Sequence, residues 1–267
     1  MAKTPTTPKI SKGTKGTADD TKKPPLETDE LRKAIRKFFR ETLYDDPSGT
    51  KKAVGSYKWG VYAFYDYDGE PIYAGQTKEK LSGRVGRHMT NQRTDAVAMS
   101  VLDPFEVAEI EVWPLPQFEG VNKKHPDFNH AKAYLDALEH LVFTRLRNES
   151  KFKAILNEKD PPAPTIPINE PPSMRGSIVS EKVMELRGHP DTRLARRALI
   201  VSKLAQVISE RDVKMGLRRV LLTQAKRLFW LADRRFQNLG GESQVEVGPE
   251  DEEEDESDDG SDGEGSV

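Results

Sequence analysis

A run of prolines late in the chain does most to limit how the chain can fold. Residues 160–172, with the sequence DPPAPTIPINEPP, place six prolines in thirteen positions. Because proline lacks a backbone N–H donor and clashes with the preceding helical turn, this stretch cannot form a helix or a central strand. We therefore predict a proline-rich linker over 160–176, which separates a folded unit at 28–159 from a second unit at 177–240.

Charge is distributed very unevenly along the chain. The formal net charge is −2, but residues 242–267 hold 13 acidic residues and no basic one, so the other 241 residues carry 42 basic and 31 acidic side chains. Residues 1–27 have almost no large apolar side chains. Both ends are therefore predicted to be disordered, with a basic tail at 1–27 and an acidic tail at 241–267. A basic body with an acidic tail favours a polyanionic partner, most often a nucleic acid.

The composition also excludes several classes of protein. The chain has no cysteine, which excludes a disulfide framework, a thiol nucleophile and a cysteine-ligated metal site, and a reducing cytoplasmic setting is the simplest fit. No apolar run approaches the 18 residues of a membrane span, and the N-terminal residues lack the apolar region of a secretory signal. We therefore expect a cytoplasmic protein without a membrane partner.

Apolar periodicity between residues 28 and 159 predicts a mixed α/β (α+β) unit. Helical spacing predicts an N-terminal helix that begins near Thr28 and two further helices, over 78–100 and 129–147. Two runs rich in aromatic and β-branched residues are joined through Asp68 and Gly69, which is typical of a β-hairpin, and a third run alternates up to Trp113. The expected fold is a small three-stranded antiparallel sheet, with strands over 59–65, 71–74 and 106–113, flanked by helices.

The segment after the prolines has a different pattern. Residues 177–238 show helical periodicity, and residues 187–238 carry 13 basic against 4 acidic side chains, a net charge of +9. This pattern predicts a basic helical accessory domain at 177–240.

Two charged residues lack the partners that a structural role would need. Glu139 has Leu135, Asp136, Val142 and Phe143 at helical neighbour positions, so no basic residue on its own face can pair with it. A carboxylate on an apolar stripe needs either a metal or a cation from elsewhere in the fold, and the spacing does not choose between them. The neighbours of Arg84 on its own helix are basic, which suits either a phosphate ligand or an ordinary solvated face.

The hairpin and the two helices together resemble a known family. The first strand carries Gly60-Val61-Tyr62, the second carries Tyr73-Ala74-Gly75, the next helix carries Leu81-Ser82-Gly83-Arg84 with His88 four residues later, and a later helix carries Glu139. This ordered set resembles the GIY-YIG nuclease superfamily. Val61 and Ala74 depart from the usual apolar residues of the two triplets, and both are still apolar.

The resemblance implies a set of site residues and a cofactor. Glu139 would hold one Mg²⁺ (or Mn²⁺) ion, Arg84 would neutralise charge on the phosphate, and Tyr62 would act as the general base or orient the attacking water. Tyr73 and His88 would help to position or deprotonate that water, and His88 is a rival for the role of base. The late asparagine of the family corresponds best to Asn157, with Asn148, an expected helix C-cap, as the alternative.

The resemblance also implies a function. It predicts an Mg²⁺-dependent DNA endonuclease that hydrolyses phosphodiester bonds, of restriction or anti-phage type because of the Leu-Ser-Gly-Arg helix. DNA would be the partner, the C-terminal module would add DNA affinity, and a homodimer would supply the second active site needed to cut both strands. Two alternatives stay open: a nucleic-acid-binding protein that retains the fold without cleaving, and a nickase of repair or homing type.

Overall fold

The computed structural model describes residues 26–46, 49–89 and 101–243, and this part of the chain forms a mixed α/β fold. Its six helices are α1 (Leu26–Glu41), α2 (Leu81–Met89), α3 (Phe128–Glu149), α4 (Glu181–Arg187), α5 (Pro190–Glu210) and α6 (Met215–Asn238). Its strands are β1 (Leu43–Asp45), β2 (Lys51–Ala53), β3 (Gly60–Tyr65), β4 (Pro71–Thr77), β5 (Glu109–Pro114) and β6 (Met174–Ser177). The two predicted tails lie almost entirely outside the described residues.

The main sheet is antiparallel, with the strand order β4-β3-β5-β6, and β1 and β2 form a separate two-stranded ribbon. The predicted hairpin is present: β3 pairs with β4 in a register that places Tyr62 opposite Gly75. Its turn is closed by hydrogen bonds between Asp66 and Glu70, and Gly69 adopts a φ of 72°, which favours glycine. On its other side β3 pairs with β5, so β4 is left as an edge strand of the sheet.

The prediction of a three-stranded sheet is wrong, because the sheet has a fourth strand. Strand β6 pairs with β5 from Glu109↔Ser177 to Val112↔Met174, although it lies partly within the predicted linker at 160–176. Its sequence Met-Arg-Gly-Ser has no apolar alternation that would reveal a strand. Residues 160–173 contain neither helix nor strand, as the prolines require.

Most predicted elements are present with shifted ends. Helices α1 and α3 lie where the periodicity placed them, and β4 runs on to Thr77 instead of ending at Ala74. Strand β5 starts three residues later than predicted, because Pro104–Glu106 forms a 3₁₀ turn capped by Asp103. The helix predicted over 78–100 starts at Leu81, and residues 90–100 lie outside the described part of the chain.

The sheet has an apolar core on each face. Helix α3 covers one face, where its apolar residues pack against Val61, Ala63 and Ala74. Helices α1, α2, α5 and α6 cover the other face, and they share one buried cluster with Tyr62, Phe64 and Ile110. The C-terminal helices therefore belong to the same core as the hairpin. The domain boundaries at 159/160 and 176/177 stay a prediction.

A buried ion-pair network also joins the C-terminal helices to the hairpin. Asp66, at the end of β3, lies 2.9 Å from Arg197 of α5 and 2.8 Å from Arg227 of α6. Glu106 contacts Arg197 at 2.8 Å, and Arg193 of α5 contacts Asp68 at 2.6 Å. These arginines are nearly inaccessible to solvent, so much of the predicted basic charge is directed inward. No helix in the described part of the chain is long and apolar enough to cross a bilayer.

Candidate active site

The glycines of the two sequence triplets allow a close approach between neighbouring groups. A Cβ atom at Gly75 would lie 2.8 Å from both Cζ and Oη of Tyr62, which is too short for a real contact. A Cβ atom at Gly60 would lie 2.6 Å from the carbonyl oxygen of Trp113. Both positions therefore require glycine, and Gly75 lets the Tyr62 ring lie flat across the adjacent strand.

Tyr62, Tyr73 and His88 form one aromatic cluster between the hairpin and α2. The Oη atom of Tyr62 lies 3.4 Å from Nδ1 of His88. The ring centroids of Tyr73 and His88 are 4.8 Å apart at nearly a right angle, and those of Tyr62 and Tyr73 are 6.3 Å apart in a stacked arrangement. Tyr62 is fully buried and His88 is buried, whereas Tyr73 is only partly so. Both tyrosines thus share one histidine, and Tyr73 reaches the surface.

Arg84 lies one turn before His88 on α2 and is half-buried beside the same tyrosines. Burial lowers the pKa of its guanidinium, but the neighbouring phenols of Tyr62 and Tyr73 raise it more, so the net pKa lies above the ordinary value. Its Nε atom is buried without a hydrogen-bond partner. Arg84 is therefore a fixed positive charge in contact with the aromatic cluster, with donor capacity to spare.

Glu139 of α3 approaches the hairpin from the opposite face of the sheet. Its Oε2 atom accepts a hydrogen bond of 2.8 Å from Nε2 of Gln76, and the same nitrogen donates to Oδ1 of Asp136 at 2.8 Å. Burial raises the pKa of the Glu139 carboxyl; the Gln76 hydrogen bond and the charge of Arg84 act in the opposite direction, and Asp136 adds to the increase. The sequence left two ways to compensate Glu139, a metal ion or a cation from elsewhere in the fold. Among the described residues, no arginine forms a direct ion pair with it.

Asn157 closes the free edge of β4. Its Oδ1 atom accepts from the backbone N–H of Ala74 at 3.1 Å, and its Nδ2 donates to the Ala74 carbonyl at 2.8 Å. The backbone N–H of Leu156 also donates to the carbonyl of Ile72 at 2.8 Å. The side chain thus replaces a neighbouring strand at one residue. Asn148, the alternative, lies in the last turn of α3, where Ser150 is the C-cap, so the C-cap interpretation of Asn148 is wrong.

The predicted site residues meet at this edge of the sheet. Tyr73, His88, Glu139 and Asn157 line a single cleft of about 470 Å³, together with Leu102, Leu156 and the loop at 158–162. Tyr62 lies behind His88, and the charge of Arg84 acts on both Tyr62 and Glu139. All six predicted residues are therefore in one place, although they come from β3, β4, α2, α3 and the loop after it.

The carboxylate of Glu139 fits a hard divalent cation, because Mg²⁺ prefers oxygen ligands. Asp136 lies one helical turn before Glu139 and is joined to it through Gln76, and its other oxygen pairs with Lys132 at 3.2 Å. Within the described residues no group of three or more His, Asp or Glu side chains could hold a metal. A cation at this edge would therefore complete its coordination with water and substrate oxygens, as Mg²⁺ usually does.

Sequence reasoning missed Gln76 and the involvement of Asp136. Gln76 directly follows the Tyr73-Ala74-Gly75 triplet, and alternation along β4 puts it on the same face as Ala74, towards α3. A predicted extension of β4 by two residues would have placed it opposite Glu139. Asp136 was visible as the neighbour three residues before Glu139, on the same helix face.

The fold and the site resemble one class of protein. A hairpin with Gly-x-Tyr and Tyr-x-Gly strands, a helix with Arg84 and His88, and a second helix that brings in Glu139 form an arrangement that resembles the GIY-YIG nuclease superfamily. Residues 58–117 match the family model described as the GIY-YIG catalytic domain, which confirms the resemblance for this part of the chain. The match contains Tyr62, Tyr73, Arg84 and His88 but ends before Glu139 and Asn157. Comparison with curated proteins and comparison with solved structures gave no significant match.

Proposed function

We propose that this protein is a divalent-metal-dependent DNA endonuclease that hydrolyses phosphodiester bonds with a single GIY-YIG site. The observation that carries the proposal is the convergence of Tyr62, His88 and Arg84 with the partly buried carboxylate of Glu139 at one free sheet edge. A partly buried carboxylate without an ion-pair partner among the described residues carries a cost for folding, and its position near an arginine with a spare donor supports a functional site.

Arg84 would stabilise the transition state. Attack of water on the phosphodiester builds up negative charge on the phosphoryl oxygens, and a preorganised guanidinium lowers the energy of that charge. The spare Nε donor and the half-buried position of Arg84 suit this task, because partial burial strengthens its interaction with an anion.

Tyr62 and His88 would together handle the proton of the attacking water. His88 lines the cleft, so it can reach the water and take its proton as the new oxygen–phosphorus bond forms and the bond to the leaving oxygen breaks. Tyr62 is fully buried behind His88, and its Oη, 3.4 Å from Nδ1 of His88, would orient the imidazole. Of the two candidate bases this geometry favours His88, with Tyr62 in the orienting role.

Glu139 would hold Mg²⁺ or Mn²⁺, with Asp136 beside it and Gln76 fixing both carboxylates. The bound cation would supply Lewis-acid stabilisation of the phosphate and of the leaving oxygen. Asn157 would act as a positioning residue, because both polar groups of its side chain are engaged with the backbone of Ala74.

The proposed setting is a restriction or anti-phage nuclease in the cytoplasm, supported by the Leu-Ser-Gly-Arg helix and by the absence of cysteine. The homodimer that would cut both strands stays a prediction, as does the alternative of a nickase. The other alternative, a protein that binds nucleic acid without cleaving it, is disfavoured because a decayed site would be expected to lose some of its polar residues. All five that the family pattern requires are present, namely Tyr62, Tyr73, Arg84, His88 and Glu139.

A plasmid assay tests the proposal. Purified protein incubated with supercoiled plasmid and Mg²⁺ should convert it to open-circular or linear DNA, and EDTA should abolish the conversion. The variant Glu139→Ala should be inactive under both conditions. DNA binding without cleavage in Mg²⁺ or Mn²⁺ would favour the non-catalytic alternative.

A further inference from the structure

The basic excess of the C-terminal helices is largely used inside the protein. Of the 13 basic residues between 187 and 238, seven pair with carboxylates of the described chain, namely Arg193, Arg196, Arg197, Arg219, Arg227, Arg234 and Arg235. An eighth, Arg187, is buried against the ring of Phe105. Pairing within the protein lowers the charge that these guanidinium groups can offer to phosphates, and five of the 13 basic residues have no such contact among the described residues.

Helix α1, in contrast, carries basic residues that are not paired with carboxylates of the described chain. Arg32, Arg36 and Arg40 recur every four residues and therefore form one row along the helix. Within residues 26–46, 49–89 and 101–243 none of the three has an ion-pair partner, whereas Lys33 pairs with Asp29 and Glu30. Like charges at this spacing destabilise a helix, so the row is unfavourable unless an anion lies against it.

This row borders a cleft between α1 and α2. The cleft has a volume of about 510 Å³. It is lined by Arg32 and Arg36 and the apolar Ile35 and Phe39 from α1, and by Ser82, Gly83, Gly86 and Arg87 from α2. The positive charge of Arg87 is partly offset by its ion pair with Glu79. The cleft walls are thus basic on both sides, and α1 lies outside the residues that match the family model.

The packing of the described residues does not require the two glycines of α2. Among these residues, a Cβ atom at Gly86 would meet nothing within 4 Å, and one at Gly83 would meet only Nη1 of Arg87 at 3.8 Å. Glycine in a helix is less stable than alanine, so two such residues in nine carry a cost that the fold itself does not require. Their effect is to keep the floor of the basic cleft open for a group that approaches the backbone of α2.

We propose that the α1–α2 cleft binds the phosphate backbone of the DNA next to the bond that is cut. The inference rests on the proposed nuclease function. Arg84 and Arg87 are neighbours on the surface of α2, so the basic surface of the cleft continues over this helix towards the active site. Arg32 and Arg36 contact phosphates, and Gly83 and Gly86 admit the strand. The contacts are to the backbone, so they add affinity without sequence preference.

The test compares two double variants of the full chain with equal loss of charge. Arg32→Gln/Arg36→Gln removes the cleft arginines, and Arg211→Gln/Arg218→Gln removes two exposed arginines that have no ion-pair partner in the described part of the chain. Affinity for a DNA duplex is titrated in EDTA at several salt concentrations. The cleft variant should bind roughly 10- to 100-fold more weakly at 0.1 M salt, with a slope of log affinity against log salt shallower by about 1.8. The control should keep the wild-type slope.

A second variant tests the cleft without a change of charge. Gly86→Leu places a side chain where no described residue lies within 4 Å, so it should raise the Tm by about 2–4 °C through helix propensity and still weaken DNA binding. If the cleft variant and the control lose equal affinity, or if Gly86→Leu binds like wild type, the inference is overturned. If the wild-type protein cleaves plasmid but the cleft variant binds DNA as tightly as wild type, only the cleft proposal is rejected. If the cleft variant shows the shallower salt dependence but the wild-type protein never cleaves, only the nuclease function is rejected.

Discussion

Glu139 shows what a partly buried carboxylate costs the fold. Its carboxyl group is partly buried at the edge of the sheet, and burial raises its pKa above the ordinary value of 4.5 despite the hydrogen bond from Gln76. The folded protein therefore binds the Glu139 proton more tightly than the unfolded chain does. Its contribution to stability is present at pH values below 4.5 and is lost as the pH rises through the raised pKa.

This gives a prediction for Glu139→Gln. The amide cannot ionise but can still accept a hydrogen bond from Gln76, so the variant should have a higher Tm than wild type at pH 7. The difference in Tm should shrink as the pH is lowered towards 4.5, where the wild-type carboxyl is protonated. Thermal unfolding of both proteins across this pH range checks it. A Tm difference that does not change with pH would mean that ionisation of Glu139 has no cost.

Some residues of the site could be predicted from the sequence and others could not. Glu139 and Arg84 stand out in the sequence because neither has a neutralising partner on its own helix, and Tyr62, Tyr73 and His88 follow from the ordered triplets. Gln76 has no such signature, since an amide on a strand is ordinary. Its importance comes from the crossing of α3 over the end of β4, which local spacing does not encode.

At the scale of elements, the free edge of β4 organises the site. An edge strand exposes unpaired backbone groups, and here the side chain of Asn157 pairs with both polar groups of Ala74. This contact fixes the strand that carries Tyr73, Gly75 and Gln76. The prediction that Asn157 belongs to the site is thus consistent with a positioning role.

Asn157→Ala should therefore destabilise the protein by about 1–3 kcal/mol, because it leaves the backbone N–H and C=O of Ala74 without their partners. Urea unfolding measures this change. Asn148→Ala is the matched control: that side chain is exposed in the last turn of α3, and its loss should change stability by less than about 0.5 kcal/mol. Equal stability of the two variants would show that Asn157 does not hold the edge of β4.

Elements with a strong local pattern were predictable and those set by tertiary contacts were not. The hairpin combines aromatic and β-branched residues with an Asp-Gly turn, and α1 and α3 have clear apolar stripes. Strand β6 has four residues, one of them Gly176, and exists because it pairs with β5 beside the ring of Phe38. The proline-rich stretch just before β6 predicts a linker, not a strand.

At the scale of the whole molecule, a buried ion network joins the C-terminal helices to the core that contains the hairpin. Asp66 is 2% exposed and lies within 3.5 Å of guanidinium nitrogens of Arg193, Arg197 and Arg227, which follow it by more than 120 residues. No periodicity in the sequence indicates which of the many C-terminal arginines turn inward. The sequence therefore predicted the charge of +9 over residues 187–238. It did not predict that carboxylates inside the protein neutralise part of that charge.

Asp66→Asn should lower the free energy of unfolding by about 3–5 kcal/mol, because it leaves the buried Arg227 without its carboxylate partner and removes one carboxylate partner each from Arg193 and Arg197. The control Asp160→Asn removes an exposed ion pair with Arg219 and should cost less than about 1 kcal/mol. Denaturant unfolding followed by both tryptophan fluorescence and circular dichroism should give a single shifted transition. Two separate transitions in wild type, with only one shifted by Asp66→Asn, would show that the C-terminal helices fold independently.

The most direct measurement is the single-turnover rate of DNA cleavage in Mg²⁺ by wild type, Glu139→Ala and Arg84→Ala, each saturated with DNA. Loss of one charge-stabilising group should lower the rate about 10²-fold or more, while both variants remain folded and bind DNA. The exposed variant Asn148→Ala should cleave at the wild-type rate. Cleavage by Glu139→Ala at close to the wild-type rate would contradict the assignment of the active site.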